Sequence, residues 1–225
     1  LFFMTYVVML YVATKKVLYF AGGLAAGSAA SVVAYHLFSH IRVRVRAWQN
    51  PLAYIDKEGY QISQSLFAIG TGGWFGMGLY QGLPDKIPVV KQDFIFSANS
   101  EELGGIFALC LIMVCFSCFL MFLNIAMQMK DQFYKLVALG LGTIYAFQVF
   151  LTIGGVTKFI PSTGVTLPLV SYGGSSLLSS MIIFAVIQGL YILREDEDEE
   201  IERYRRKGTA QRVEEAPEAQ SPGDF

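Results

Sequence analysis

Four apolar runs constrain this chain more than anything else in it. They cover residues 17–41, 104–129, 133–157 and 177–193. Each approaches or exceeds the ~20 residues that an α-helix needs to cross the hydrocarbon of a bilayer. The composition agrees: 54% of residues are hydrophobic, 14% aromatic and only 16% charged. A soluble domain carries about 25% charged residues. The expected class is an all-α polytopic membrane protein. It is a bundle of transmembrane helices with a large outer loop that contains interfacial or re-entrant helices.

Residues 1–16 read as the end of a transmembrane helix whose start lies outside the sequence, followed by a turn at Lys15-Lys16. The first complete span, 17–41, carries Gly23-x-x-x-Gly27 and a run of Ser and Ala, which suits close helix packing. His36 and His40 share a helix face, but no carboxylate stands beside them, so they read as an interfacial helix end. Cys110, Cys115 and Cys118 all lie in one apolar run and read as small helix residues rather than a redox or metal pair. The tail, 194–225, alternates acidic and basic residues and then turns rich in Pro, Glu and Ser. It reads as a solvated helix stub followed by disorder.

Two segments break the apolar pattern, 42–103 and 158–176. The basic residues Lys15, Lys16, Lys130, Lys135 and Arg194 fall on one side if the spans alternate, and that side is assigned to the cytoplasm. Both polar segments then lie outside. Arg42, Arg44 and Arg46 are thereby placed against the positive-inside tendency. Two readings stand: an anionic ligand at the outer leaflet, or anchoring to phospholipid headgroups.

Within the large loop, 60–79 mixes apolar residues with Gln61, Ser63, Gln64 and Ser65, then with five glycines. This predicts a short interfacial or re-entrant helix followed by a glycine-rich turn. Gly70-x-Gly72-x-x-x-Gly76 follows no strand, so a nucleotide-binding turn is excluded. Asp93 precedes Phe94-Ile95-Phe96, where a helix N-cap is the plainer role and a catalytic carboxylate the other. Ser171-Tyr172-Gly173-Gly174-Ser175-Ser176 lacks the G-x-S-x-G of a serine nucleophile. It reads either as a structural turn or as a helix start whose backbone N–H groups cradle an anion.

Four blocks together carry a resemblance. They are RVRAWQNP at 44–51, GYQISQSLFAIGTGGWFGMGL at 59–79, PVVKQDFIFSANSEELGG at 88–105 and GVTLPLVSYGGSS at 164–176. In this order and spacing the chain, over roughly residues 15–193, resembles the SEDS (shape, elongation, division and sporulation) family, the group of FtsW and RodA. Members have about ten membrane helices, so the chain corresponds to the last four and part of a fifth. The resemblance implies a peptidoglycan glycosyltransferase that polymerises lipid II into glycan strands at the outer face of the bacterial cytoplasmic membrane, in division or elongation. A lipid II flippase, or a non-catalytic scaffold for a transpeptidase, is the alternative.

Asp93 aligns with the family's essential aspartate and is expected to be catalytic. The resemblance implies substrate contacts at Arg44, Lys91, Glu102, Gln61, Ser171, Tyr172, Gly173, Gly174 and Ser175. It also points to Glu102 as a metal ligand. A divalent cation, Mg²⁺ or Mn²⁺, is the expected cofactor, with no organic one. The expected partners are lipid II, the growing strand, membrane lipids and a class B penicillin-binding protein, and no nucleic acid. The chain departs from the family pattern at Lys91-Gln92, where His-Thr is usual, at Thr152, usually Asn, and at Thr166, usually Pro.

Overall fold

The structure is a computed structural model that describes residues 1–83 and 86–214. Among these the regular structure is helical: α1 (Phe2–Thr14), α2 (Val17–Leu37), α3 (Ser39–Gln49), a 3-10 turn (Pro51–Tyr54), α4 (Tyr60–Gly72), α5 (Ile95–Gln128), α6 (Gln132–Val156) and α7 (Gly174–Glu214). Four of them are long and apolar enough to cross a membrane: Val17–Leu37, Ile95–Gln128, Gln132–Val156 and the Gly174–Asp196 part of α7. With no water in the bilayer core, such helices satisfy their own backbone groups. The chain is an all-α, multi-pass membrane protein.

Small residues decide how the first helices pack. A Cβ on Gly23 would lie 2.6 Å from the Val7 side chain, and one on Gly27 would lie 2.9 Å from Phe3. The two glycines therefore let α1 approach the backbone of α2 directly, as the small-residue pattern predicts. The same device joins α1 to α6, where a Cβ on Gly140 would lie 2.9 Å from Met9. A core of Phe122, Tyr145, Ile187 and their neighbours binds α5, α6 and α7. Its aromatic rings meet edge to face: Phe122 lies 5.3 Å from Tyr145 and 5.0 Å from Phe184, centroid to centroid.

Two elements differ from the simplest sequence expectation. The 17–41 run does not continue as one helix, because Phe38 is extended (φ −105°, ψ 117°) and α3 starts afresh at Ser39. The charged stretch after Arg194 stays helical to Glu214. Glu and Arg are good helix formers, and Arg203 meets Glu199 one turn earlier at 3.4 Å. The expected disorder at 215–225 lies outside the described residues.

At one end of the bundle a second core forms over the helix ends, from Ala68, Ile87, Val90, Phe94, Phe96, Ala98, Ala108 and Val156. It joins α4, the 86–94 loop, α5 and the end of α6. This small roof holds the polar loops in place.

Candidate active site

The site is built from four segments of the chain, which form three walls. The first is α3. Helical phase sends Arg42, Arg44 and Arg46 to different faces. Of the three, Arg44, with Val43 and Ala47, faces a cleft of about 120 Å³. Glu58 and Gln61, at the entry to α4, form a second wall, and Asp93 with Ser162 and Gly164 forms the third. Arg44 also donates to the Ser162 carbonyl at 3.3 Å, tying α3 to the loop after α6.

Asp93 is not a helix cap. Phe94 occupies the N-cap position of α5, and no side chain caps that helix. The reason is local. Val89 takes a left-handed conformation (φ 53°), and its carbonyl accepts from both Gln92 N–H and Asp93 N–H. This tight turn ends with Phe94, which is 1% exposed and anchored in the roof core. The anchor turns the Asp93 carboxyl outward into the cleft. Gly164, at φ +69°, shares this wall, and a Cβ there would lie 3.5 Å from Asp93 Oδ2.

The carboxyl is half-buried, and that burial raises its pKa above the usual carboxylate range, while the Arg44 guanidinium pulls it partly back. Desolvation disfavours the anion and makes it a stronger proton acceptor. The cleft therefore holds a basic carboxylate beside a permanent cation. That pair can take a proton from a hydroxyl and stabilise an anionic leaving group.

The loops behind Asp93 are pinned by long-range bonds. Tyr172 N–H donates to the Lys91 carbonyl at 2.8 Å, and Ser171 Oγ donates to the Gln92 carbonyl at 2.5 Å. Ser171 Oγ in turn accepts from Leu167 N–H at 2.8 Å. Ser171 is thus a pin between two loops. Thr152 Oγ1 donates to the Val165 carbonyl and Gln148 Nε2 to the Thr166 carbonyl, which fixes the 164–166 segment along α6.

On the far side of this partition lies a second cleft of about 510 Å³, between α6, the start of α7 and Leu1, with no charged side chain among its described lining. Gln92, Gln148, Thr166, Tyr172, Gly173, Ser175, Ser176 and Ser179 line it. Thr166 and Ser176 share a hydrogen bond of 2.6 Å between their hydroxyls.

The residues singled out in the sequence divide accordingly. Asp93, Arg44 and Gln61 meet in the first cleft, and Tyr172, Gly173 and Ser175 meet in the second. Gly174 opens α7 beside the latter. Lys91 is exposed and lines neither cleft. Glu102 lies nine residues beyond Asp93, half-buried next to Gly82, and lines neither. Among the described residues no three His, Cys, Asp or Glu side chains gather at one point. Glu58, Ser162 and Gly164 were not singled out in the sequence. Only the turn chemistry of Pro161-Ser162-Thr163-Gly164 hinted at the last two, and nothing pointed to Glu58.

The model of the FtsW, RodA and SpoVE family, described as cell cycle protein, matches residues 1–195. The chain belongs to this family. The match takes in α1 as well, ahead of the blocks that carry the resemblance.

Among relatives within the FtsW/RodA/SpoVE family, Peptidoglycan glycosyltransferase RodA of Mycobacterium tuberculosis is 43% identical over 187 residues, which is 83% of this chain and 40% of that protein. Stage V sporulation protein E of Bacillus subtilis is 38% identical over 190 residues, 81% of this chain and 50% of that protein. A probable peptidoglycan glycosyltransferase FtsW of Saccharophagus degradans is 41% identical over 150 residues, 64% of this chain and 38% of that one. The chain thus spans half or less of the length of these relatives. A chain from a solved structure titled "Structural coordination of polymerization and crosslinking by a peptidoglycan synthase complex" matches 86% of this chain and 53% of its own, with a TM-score of 0.64 and 24% identity. That likeness supports the fold.

Proposed function

We propose that this chain carries the catalytic carboxylate of a peptidoglycan glycosyltransferase that polymerises lipid II. The observation that carries the reading is the Asp93 carboxyl. It is released from any capping role, raised in pKa by burial, and set in one cleft with Arg44.

In this reading a sugar hydroxyl of one substrate enters beside Asp93. The carboxylate accepts the hydroxyl proton as the oxygen attacks the anomeric carbon of the other. The bond from that carbon to the pyrophosphate oxygen breaks, and the departing polyprenyl pyrophosphate takes the electron pair. Arg44 stabilises that charge, and Gln61 can orient a hydroxyl from across the cleft. A Mg²⁺ or Mn²⁺ ion that arrives with the pyrophosphate needs only one or two carboxylates. The cleft offers Glu58 for this, which leaves Asp93 free to take the proton, whereas Glu102 stands outside it.

The cleft faces the outer side of the cytoplasmic membrane, and the α7 extension faces the cytoplasm. The basis is that Lys15, Lys16, Lys130 and Arg194 mark the opposite end of the bundle. A class B penicillin-binding protein is the expected partner, by analogy with a relative named for a synthase complex.

The test uses the full-length protein, purified with its transpeptidase partner and supplied with lipid II. Glycan polymer is resolved on a gel, wild type beside Asp93→Asn. Polymer from the wild type and none from an equally folded variant supports the reading. Polymer from both removes Asp93 from the chemistry. Polymer from neither, with lipid movement across vesicles, replaces the enzyme with a flippase.

A further inference from the structure

We infer that residues 73–83 form a re-entrant hairpin that seats Trp74 and Phe75 in the acyl region of the leaflet next to the Asp93 cleft. The partner of this surface is the lipid itself. The inference does not depend on the glycosyl-transfer reading.

The first observation is depth. Ser65 Oγ bonds both Ser97 Oγ (2.5 Å) and the carbonyl of Val156 (2.9 Å), the last residue of α6. Ser97 is therefore level with the outer end of α6. From there α4 and α5 descend side by side. A Cβ on Gly72 would lie 2.1 Å from the Ser100 carbonyl oxygen and 2.8 Å from Glu101 Cα. At the bottom, Gly105 N–H donates to the Gly73 carbonyl (2.8 Å) and Ile106 N–H to the Trp74 carbonyl (3.2 Å). Ile106 is nine residues below Ser97 on α5. At 1.5 Å per residue the tip lies on the order of 10 Å beneath the end of α6. That is within the span, where Ile106, Phe107 and Leu109 are exposed on the surface of α5.

The second observation is how the backbone is satisfied. Non-helical backbone at membrane depth persists only where its polar groups are bonded. Gly104, at φ +87° and ψ 173°, breaks the α5 ladder. The break frees the N–H groups of Gly105 and Ile106, and these are the groups that the 73–74 carbonyls accept. The returning limb donates Met77 N–H to the Glu101 carbonyl and Gly78 N–H to the Glu102 carbonyl. Gly76 N–H closes onto the Gly72 carbonyl at 2.8 Å. A side chain on Gly76 or Gly104 would collide with the opposing backbone at 2.2 and 2.4 Å. The kink and the hairpin are thus one hydrogen-bonded unit.

The third observation is composition. Residues 59–83 contain no Asp, Glu, Lys, Arg or His. Yet Trp74 is 71% exposed, Phe75 85%, Leu79 63% and Tyr80 94%. An uncharged loop with apolar side chains at its tip and a Tyr on its return limb matches a lipid-facing insertion. The hairpin also covers Glu101, which is 7% exposed, from the lipid side through Gly82.

Trp74 itself reports the answer, because the chain holds only one other tryptophan, Trp48. The full-length protein, with any tryptophans other than Trp48 and Trp74 replaced by Phe, is reconstituted in phosphatidylethanolamine and phosphatidylglycerol vesicles that contain phosphatidylcholine brominated in the upper acyl chain. Trp74 emission is read in Trp48→Phe, and independently as wild type minus Trp74→Phe, so that a misfolded single variant does not decide the matter. The brominated lipid is expected to remove most of the Trp74 emission, while aqueous iodide leaves most of it. Quenching by iodide with none by the brominated lipid would make 73–83 an aqueous loop and overturn the inference. Quenching by neither would show a protein surface over Trp74 and overturn it equally.

Discussion

The two clefts on either side of the 91–93 and 164–166 segments share a wall and little else. The smaller holds Arg44, Glu58 and Asp93; the larger, among its described lining, holds amides and hydroxyls but no charge. One backbone partition separates them, with Gln92 and Asp93 facing opposite ways, as do Gly164 and Val165. A single pair of loop segments can thus keep charge chemistry apart from neutral hydrogen bonding within one residue's length. If the smaller cleft is where bonds are made and broken, substitutions there should act on rate. Substitutions in the larger cleft should act on stability or substrate hold.

The largest effect is expected at Asp93. Asp93→Asn keeps the shape and removes the proton acceptor, and general-base loss typically costs about 10²–10⁴-fold in rate. Its effect on stability should have the opposite sign. The folded-state pKa is raised, so the folding contribution of this group is full below its unfolded pKa and is lost as pH rises through the folded value. At neutral pH the wild type therefore carries the cost of a partly buried anion that Asn lacks. The variant should melt no lower than wild type, measured by thermal unfolding in detergent. A clear drop in melting temperature would make Asp93 a structural residue after all. Activity of the wild type should rise with pH through a limb above the ordinary carboxylate range.

Arg44 comes next. Arg44→Ala removes the group held against the developing charge, and a loss of about 10²–10³-fold in kcat is expected. Arg44→Lys should recover part of it, as a point charge replaces a planar fork. Arg44 also lowers the Asp93 pKa, so without it the rising limb of the pH profile should move to higher pH. A loss of activity with an unmoved limb would place Arg44 on the substrate alone. Glu58 should matter less. In the proposed reading its carboxylate helps hold the cation that comes with the pyrophosphate, so Glu58→Gln should raise KM for lipid II by less than about tenfold and leave kcat nearly unchanged. A collapse of kcat instead would promote Glu58 to the chemistry.

Much of this architecture was legible in the sequence, but unevenly. Long apolar runs declare membrane helices because length and hydropathy are properties of one segment. The seating of Gly23 and Gly27 on α1 followed from residue size. Asp93, Arg44 and Gln61 could be grouped only through the resemblance, since nothing local ties residue 44 to residue 93. Asp93 looked like a cap, and that reading failed for a nonlocal reason. Phe94 is held in a core built from α4, α5 and α6, and this shifts the helix start past the carboxyl. Glu102 was grouped with Asp93 through the resemblance, but the first turns of α5 carry it to the hairpin. Glu58 and Ser162 are more than a hundred residues apart and meet only in the fold.

The smallest expected effect sharpens the comparison from the other side. Thr166 stands where the family usually has Pro, and its hydroxyl shares a 2.6 Å bond with Ser176 at the start of α7. Thr166→Val keeps the volume and removes that bond, which is worth about 0.5–1.5 kcal/mol for a typical intramolecular pair. The wall remains in place, because the Thr166 carbonyl still accepts from Gln148 and the Val165 carbonyl from Thr152. A slight fall in melting temperature with kcat unchanged is expected from thermal unfolding and polymerisation assays run in parallel. A fall in kcat comparable to that of Arg44→Ala would mean that the neutral cleft shares in the bond-making step. The partition would then separate two halves of one reaction rather than chemistry from support.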